Sequence, residues 1–524
     1  MLASLLFLDQ PAKPLPSDTA CFQDLNLALI FDQIQKESSV PIENFFYQPL
    51  TTRRAVEYRQ AIFADLQKPT GFQIIRDFVT QAAVTTGKIE QAKRHWTAEQ
   101  RAASLLNALA EQHQQLQRVT DQLQKFSPRS LGLQRLNEHF TAYLRDPATQ
   151  QLLREVQNLI TELGKIHFQL TVNGRFVSVA STAPSAERLS RVADQLFGPV
   201  MAQPQDLKRP NQSIKPLEPV NRGTSLQANV VRALHKLYPD TFKQLIAFYQ
   251  RYQNYEVAGY DQAVAELNWY LAVLRYTNQL AKAGQLSFTL PTMVALGQPE
   301  SIDRGFDEEL AYAHAETTDP VVPNNFRLKP DEQFLIISGP NQGGKTTYTR
   351  MIGQAYYLAS LGMPIAGEQA ALHLASHVLT HFERQEKAQE LTGLLQHDIE
   401  RLKTIYDQVD DHSVVLMNEL FSSTTAADAE RLGQLVLKRL AAANAHGIYV
   451  TFLETLVQLP HMVAMQAQII KGTTDRAYQI IRQSGTTNAY AASLLTKYQL
   501  TAAAIERRLE HARQSDYTQQ QLSK

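Results

Sequence analysis

The chain has 524 residues, 44% of them hydrophobic and 19% charged, a composition typical of a globular protein with more than one domain. Lys and Arg together number 51, as do Asp and Glu, so the formal net charge is zero and no overall field would attract nucleic acid. The single cysteine, Cys21, excludes a disulfide scaffold and a cysteine-based zinc site, and it is typical of a reducing cytoplasm.

The first eight residues are apolar but few, and they lack the basic flank of a signal peptide. We expect them to form part of a folded edge. The chain has no run of about 18 or more apolar residues, so we expect no membrane span and predict a cytoplasmic location.

Residues 1–320 have mostly helical periodicity and predict a mainly α-helical region. Helices are expected within 24–66, within 71–163 with breaks at Pro128 and Pro147, and within 225–285. Three aromatic residues of the last segment favour core packing over ligand contact, namely Trp269, Tyr270 and Tyr276.

Residues 88–146 carry nine Lys or Arg against six Asp or Glu. This mild excess is more typical of a solvated helix face than of a binding patch. Further along, two alternating runs in 168–179 flank Asn173 and Gly174, a pair typical of a type I′ turn, and so predict a β-hairpin. Residues 197–223 are rich in Pro, Gln and Asn and predict a loop or linker.

From residue 321 to 524, apolar strands alternate with helices, which predicts an α/β domain. The strand 334–338 runs into Gly-Pro-Asn-Gln-Gly-Gly-Lys-Thr, the pattern of a phosphate-binding P-loop. In such a loop glycines permit the tight turn, Lys345 reaches the β- and γ-phosphates, and the Thr346 hydroxyl ligates Mg²⁺. An ordinary Gly-rich turn is a poorer interpretation, because a strand precedes the loop and helical residues follow it. The predicted nucleotide-binding residues of the loop are Gly339, Pro340, Asn341, Gln342, Gly343, Gly344, Lys345, Thr346 and Thr347.

A second apolar strand, 414–419, ends in Asn418 and Glu419. In P-loop ATPases of the ABC type this strand ends in Asp-Glu, where the Asp supports Mg²⁺ and the Glu polarises the attacking water. We therefore predict Glu419 and Lys345 as catalytic residues, and Asn418 with Thr346 at the metal. An amide cannot supply negative charge, so weaker metal binding and slower turnover are expected. The alternative is that Asn418 and Glu419 have no catalytic role and only mark the point where the chain leaves the strand.

Hydroxyl residues follow this strand at 422–425 and favour a helix N-cap over a loop that faces nucleotide. Further strands are expected at 447–453 and 476–482. The order of strands and helices fits a P-loop ATPase with ABC-like topology.

These motifs resemble those of the MutS family of DNA mismatch-repair ATPases. Gly339–Tyr348 is similar to that family's Gly-Pro-Asn-Met-Gly-Gly-Lys-Ser-Thr-Tyr, and Val415–Leu420 is similar to its Val-Leu-Met-Asp-Glu-Ile. Thr424, Thr425 and Asp428 also fit the family's pattern. The segment 322–325 fits as well, and in the family it lies near the adenine, which implies a cofactor contact from Asn325.

The resemblance implies a multidomain fold: a MutS-like helical core, lever and clamp region in 1–320, followed by a P-loop ATPase and dimerisation domain in 321–524. It implies ATP and Mg²⁺ as cofactors, DNA as partner, and a homodimer with composite ATP sites. Residues 392–393 and 423–425 would reach the partner subunit's nucleotide. The hairpin and residues 88–146 are the candidate DNA-contacting segments.

Departures from the family indicate a minimal MutS-like branch. The amino-terminal mismatch-reading domain is expected to be missing, and no nuclease-like domain is expected after the ATPase. Phe452 takes the place of the family's switch histidine, so sensing of the γ-phosphate through an imidazole is not expected. One of His381, Glu383 or Gln385 is a candidate contact to Mg²⁺ or water. For His381, a buried structural position with its hydrogen bonds satisfied is an equally good interpretation.

The first functional hypothesis is an ATP-driven DNA clamp in repair or recombination. The second is a nucleotide-gated scaffold with little turnover, which Asn418 and Phe452 favour. The third is an ABC-type ATPase that acts on a non-DNA partner such as the ribosome; the P-loop sequence argues against a transporter.

Overall fold

The computed structural model describes residues 2–9, 13–95, 97–173, 176–181, 224–315, 317, 320–382, 394–470, 475–483 and 505–507. Within these ranges the protein is rich in helix and has several small sheets. The α-helices, in chain order, are α1 Ala20–Asp24, α2 Leu27–Lys36, α3 Arg53–Leu66, α4 Pro69–Lys93, α5 Ala98–Phe126, α6 Leu131–Arg145, α7 Pro147–Gly164, α8 Thr224–Leu237, α9 Pro239–Tyr252, α10 Tyr260–Gly284, α11 Glu308–Ala313, α12 Lys345–Ser360, α13 Leu394–Gln408 and α14 Ala426–Ala442.

The strands are β1 Phe168–Asn173, β2 Phe176–Ser181, β3 Phe288–Thr289, β4 Thr292–Val294, β5 Glu300–Gly305, β6 Asn324–Leu328, β7 Phe334–Ser338, β8 Ile365–Ala366, β9 Gln369–His373, β10 Val378–Phe382, β11 Val414–Asn418, β12 His446–Val450, β13 Met462–Ile469 and β14 Arg476–Arg482. Short 3₁₀ helices span Glu43–Tyr47 and Glu454–Gln458. None of the described helices is both long enough and apolar enough to cross a membrane.

The chain forms two compact units, the first made of Met1–Leu8 and Ala64–Leu271 and the second of Asp9–Phe63 and Ala272–Lys524. The division near residue 320 that the sequence predicts differs from this arrangement, because it falls inside the second unit. The residues between 272 and 320 contain β3, β4 and β5, which pair with strands from the carboxy-terminal half of the chain. Long-range strand pairing of this kind has no local sequence signal.

The first unit is a helical assembly built around α4 and α5. Its core combines apolar residues of α5, α7, α8 and α9, among them Leu106, Leu234 and Leu245. The expected helix breaks are confirmed: α5 ends two residues before Pro128, and Pro147 is the first residue of α7. Proline suits that position because the first helical residue needs no amide donor.

Two further predictions fall in the first unit. The apolar start of the chain packs into it, with Leu5 and Leu6 fully buried and the Leu5 amide donating to Glu266 at 2.6 Å. The hairpin is confirmed as the antiparallel pair β1–β2, but its register pairs Asn173 with Phe176. Asn173 is therefore a strand residue and not the first residue of the turn.

The second unit contains a six-stranded sheet with the order β10-β11-β12-β7-β13-β14. All neighbouring strands are parallel except β14, which runs antiparallel to β13. Residues 334–337 and 414–417 are buried, as expected for parallel strands whose two faces are both covered. The sequence did not predict β13, nor the separate four-stranded sheet β4-β9-β5-β6.

Candidate functional site

The loop between β7 and α12 owes its shape to its glycines. Gly339 and Gly344 have φ values of 131° and 87°, which are costly for residues with a side chain. A Cβ atom added to Gly343 would lie 2.9 Å from the carbonyl oxygen of Pro340, so that position has no room for a side chain. The loop leads directly into the N-terminus of α12, where free backbone amides and the helix dipole favour an anion.

Lys345 is the first residue of α12, and its side chain folds back over the loop. Its Nζ donates hydrogen bonds to the carbonyl oxygens of Gly339 at 2.9 Å and Pro340 at 3.1 Å. Burial lowers the pKa of this ammonium, and the neighbouring Glu419 partly opposes that shift. A buried cation held by neutral carbonyl groups is an electrostatic complement to an anionic ligand.

Phe452 lies over the same ammonium, with its ring centroid 4.7 Å from Nζ of Lys345. The ring is half exposed at 56% and follows the end of β12, next to the strand that feeds the loop. Phe452 thus lies beside Lys345, at the position where the resemblance noted in the sequence would place a histidine.

The two residues predicted for the metal are brought together. The Thr346 hydroxyl donates to Oδ1 of Asn418 at 3.2 Å, at the carboxyl end of β11. Glu419 follows in a left-handed conformation, with φ of 55°, and its amide donates to the Val450 carbonyl at 3.0 Å. This backbone bend directs the chain away from the sheet, and Glu419 lines a cavity at the loop.

The cavity has a volume of about 930 Å³ and lies within the second unit. This volume is within the usual range for small-molecule sites. Its walls combine an apolar side with the polar Gly-rich loop. The lining residues are Phe306, Asp307, Leu310, His314, Pro320, Val321, Val322, Asn324, Asn341, Gln342, Gly343, Gly344, Lys345, Thr346, Thr347, Tyr348, Met351, Glu419 and Tyr478.

Asn325, for which the sequence predicts a cofactor contact, differs from its neighbour Asn324 in its position relative to the cavity. Asn325 does not line the cavity; its Oδ1 accepts a hydrogen bond from the Arg304 amide at 2.9 Å. Asn324 lines the cavity instead, and its side chain bonds the Tyr478 carbonyl at 2.9 Å and the Ile480 amide at 2.8 Å. The reason is the alternation of side chains along β6, which directs neighbouring residues to opposite faces.

Tyr478 is a cavity residue that the sequence did not single out. It is 52% exposed and has a left-handed backbone with φ of 54°. Its strand was predicted, but it reaches the loop only because β14 folds back antiparallel to β13. No local pattern distinguishes such an aromatic residue from the other tyrosines.

Other predicted residues lie away from the cavity or outside the described ranges. His381 is buried at the end of β10, and its Nε2 is 3.2 Å from Oδ1 of Asp398, within ion-pair distance but not aligned for a hydrogen bond. Thr425 is an N-cap, since its hydroxyl accepts from the Asp428 amide at 3.2 Å, as the hydroxyl cluster predicts. The segments lying outside the described residues include Glu383, Gln385 and residues 392–393.

Comparison with known proteins gives two matches. Residues 335–506 match the family model of MutS domain V. The Endonuclease MutS2 of Thermus thermophilus is 31% identical over 141 residues, which cover 26% of this chain and 19% of that protein. The aligned part thus spans about a fifth of that relative's length. The segment that matches the family model contains most of the Gly-rich loop's strand, the loop itself, Asn418 and Glu419, so this part of the chain is similar to domain V of the MutS family.

Proposed function

We propose that this protein binds and hydrolyses ATP in the cavity of its second unit, and that it uses this reaction to act on DNA as a homodimer. The observation that carries the proposal is the arrangement of Lys345, the Thr346–Asn418 pair and Glu419 around one cavity of about 930 Å³. A Gly-rich structural turn would need neither a buried lysine nor a carboxylate facing it.

The residues fit ATP with Mg²⁺, because the Gly-rich loop borders a cavity of about 930 Å³ and Lys345 provides a cation beside it. ATP would supply the scissile phosphoanhydride bond, and Mg²⁺ would offset the charge of the phosphates. Amides at the N-terminus of α12 would hold phosphate oxygens, and Lys345 would exchange carbonyl partners for them. Thr346 and Asn418 would hold the ion and its water. Glu419 would orient the attacking water and accept its proton.

The apolar side of the cavity supports a nucleobase site. Val322 and Asn324 precede the P-loop strand, and the half-exposed Tyr478 offers an aromatic face. Aromatic faces stack on bases without regard to sequence. We therefore assign the adenine side of the cavity to Asn324 and Tyr478, in place of Asn325.

For DNA binding we propose the first unit, with the hairpin and residues 88–146 as contact segments. Part of the positive charge there is already neutralised, since Lys88 pairs with Glu111 and Lys93 with Glu90. Binding should depend strongly on salt, because contacts to phosphates release counterions. The family link supports a DNA-related role.

The test is steady-state ATP hydrolysis by the purified full-length protein, without DNA and with duplex, mismatched and four-way DNA. We expect turnover that DNA stimulates and that Lys345→Ala abolishes. Light scattering coupled to size exclusion, with and without ATP, tests the homodimer. Turnover that persists in Lys345→Ala would contradict the assignment of this site.

A second candidate is a switch driven by nucleotide binding with little hydrolysis. Two observations favour it: Asn418 gives the metal no charge, and Phe452 occupies the space over Lys345. Under this alternative Glu419→Gln leaves the hydrolysis rate unchanged while ATP still binds. Under the ATPase proposal the same variant retains ATP binding and loses at least 100-fold in rate, the range that removal of a general base produces.

A further inference from the structure

A second cluster of chemically active side chains lies in the second unit, separate from the residues that line the ATP cavity. Glu300 begins β5, His373 ends β9 and His446 begins β12, and all three are buried, with exposures of 5%, 2% and 7%. They are the potential metal ligands that the described part of the chain brings together in a group of three. The proposal for ATP hydrolysis uses none of them.

The distances within this cluster suit a shared ion. Nδ1 of His373 is 2.8 Å from Oε2 of Glu300 and 3.3 Å from Nε2 of His446, and this Nε2 is 3.8 Å from Oε1 of Glu300. Ligands bound at about 2.0–2.2 Å to a tetrahedral zinc ion lie about 3.3–3.6 Å from one another. The observed separations fall on both sides of this range, so small side-chain rotations would place all three atoms around one ion.

The outer nitrogen atoms of the two imidazoles are also arranged as in metal sites. Nε2 of His373 is 3.2 Å from the carbonyl oxygen of His412, and Nδ1 of His446 is 3.3 Å from that of Asn444. A nitrogen that faces a carbonyl oxygen must carry a proton to form a hydrogen bond with it. In a neutral imidazole the other nitrogen then has a free lone pair, and these nitrogens are Nδ1 of His373 and Nε2 of His446. Metal-binding histidines almost always donate their other N–H in this manner.

Hydrogen-bond donors also orient the Glu300 carboxylate, as is usual for a carboxylate that binds a metal. The Tyr356 hydroxyl and the His373 amide each donate to its Oε2 at 2.8 Å. Without an ion, one neutral His373 ring cannot donate both to Glu300 and to the His412 carbonyl. His446 approaches the same ring, with its Nε2 3.2 Å from Nε2 of His373.

We propose that Glu300, His373 and His446 bind a divalent transition-metal ion, namely zinc, with a fourth position open to water. Two imidazoles and one carboxylate are a common zinc donor set. The ion joins β5 and β9 of the four-stranded sheet to β12 of the six-stranded sheet. Tyr356, which contacts Glu300, lies on α12 about 16 Å from Lys345, at a rise of about 1.5 Å per residue, so the site is separate from the residues proposed for hydrolysis.

The test begins with the full-length protein prepared without a polyhistidine tag. We expect elemental analysis to find about one zinc ion per chain, removable by a strong chelator and restored by zinc alone. Substitution of Co²⁺ in the wild-type protein should give the intense visible bands of tetrahedral coordination. This measurement needs no variant, so it does not depend on whether a mutant folds.

Zinc affinity and zinc-dependent thermal stability are then compared among His446→Gln, Glu300→Gln and the control His397→Gln, whose side chain is 56% exposed beside Glu400. We expect at least a 100-fold loss of zinc affinity in the first two variants, since even second-shell changes cost about 10–100-fold. The control should match the wild type. The proposal would be overturned if the wild-type protein contains no zinc and gives no tetrahedral Co²⁺ spectrum. It would also be overturned if His397→Gln loses as much zinc affinity as His446→Gln. Either result would favour a metal-free Glu300–His373 ion pair.

Discussion

Phe452 and Lys345 are in direct contact, with 4.7 Å between the ring centroid and the ammonium nitrogen. The ring offers its negative face to the cation, while the Gly339 carbonyl accepts a hydrogen bond from the same ammonium. The P-loop lysine is thereby held in one position. A phosphate group must compete with these contacts for the lysine.

Replacing Phe452 by Leu should raise the affinity for ATP by about 2- to 5-fold, because a cation–π contact at a half-exposed site is worth about 0.5–1 kcal/mol. Nucleotide titration followed by calorimetry or a fluorescent analogue measures the change. In a Lys345→Ala background the same replacement should have no effect, since the cation is absent. A gain that persists in that background would show that Phe452 acts through another group.

The Thr346–Asn418 pair leads to a prediction about metal dependence. Asn418→Asp places a carboxylate where the amide now accepts from Thr346. A charged partner is worth about 1–2 kcal/mol more than a neutral one, so the Mg²⁺ concentration for half-maximal activity should fall by about 5- to 30-fold. Hydrolysis rates across a Mg²⁺ series provide the measurement, with Asn418→Ala as the control that lacks both amide and charge. An unchanged Mg²⁺ requirement in the Asp variant would separate Asn418 from the metal.

Glu308 links stability to pH. This residue begins α11 and is buried, and burial, with the neighbouring Asp307, raises the pKa of its carboxyl to about 8. The folded protein therefore keeps the proton up to about pH 8, while the unfolded chain releases it above about pH 4.3. Between these values the folded state binds more protons, so the free energy of unfolding falls as pH rises, by about 1.4 kcal/mol per unit for this group.

Glu308→Gln should remove that contribution, because the amide is neutral at every pH. We expect denaturant unfolding between pH 5 and 7.5 to give a smaller loss of stability with pH in the variant than in the wild type. Exposed Glu400, at 59% side-chain exposure, provides a matched Glu→Gln control. Parallel pH curves for Glu308→Gln and the wild type would mean that Glu308 is ionised in the folded protein.

Local features of this chain could be read from the sequence, whereas long-range ones could not. The P-loop strand, the strand before Glu419, the hairpin and the Pro147 helix start all depend on neighbouring residues. Tyr478 instead reaches the cavity because β14 runs antiparallel to β13. Whether Asn324 or Asn325 lines the cavity depends on which face of β6 is turned toward the loop.

The Glu300, His373 and His446 cluster shows the same limit. Its three residues come from strands in two different sheets. Along the chain, His373 is 73 residues from Glu300 and 73 residues from His446. No motif spacing connects them. The boundary near residue 320 fails to match the two units for the same reason, since β3, β4 and β5 pair with β8 and β9, which follow the Gly-rich loop.

The packing of the six-stranded sheet predicts a strong effect at Gly447. A Cβ atom added there would lie 1.8 Å from the backbone carbonyl oxygen of Val415 on the neighbouring strand, and backbone atoms cannot rotate away. Gly447→Ala should therefore separate β11 from β12 and destabilise the second unit by about 3 kcal/mol or more.

Gly87→Ala is the matched control, because a Cβ atom at that helical position meets nothing within 4 Å. This control should stabilise α4 by about 0.5–1 kcal/mol, since alanine has the higher helix propensity. Thermal unfolding of both variants beside the wild type checks the pair. If Gly447→Ala unfolds at the wild-type temperature, β11 and β12 cannot be in the register that places Asn418 next to Val450.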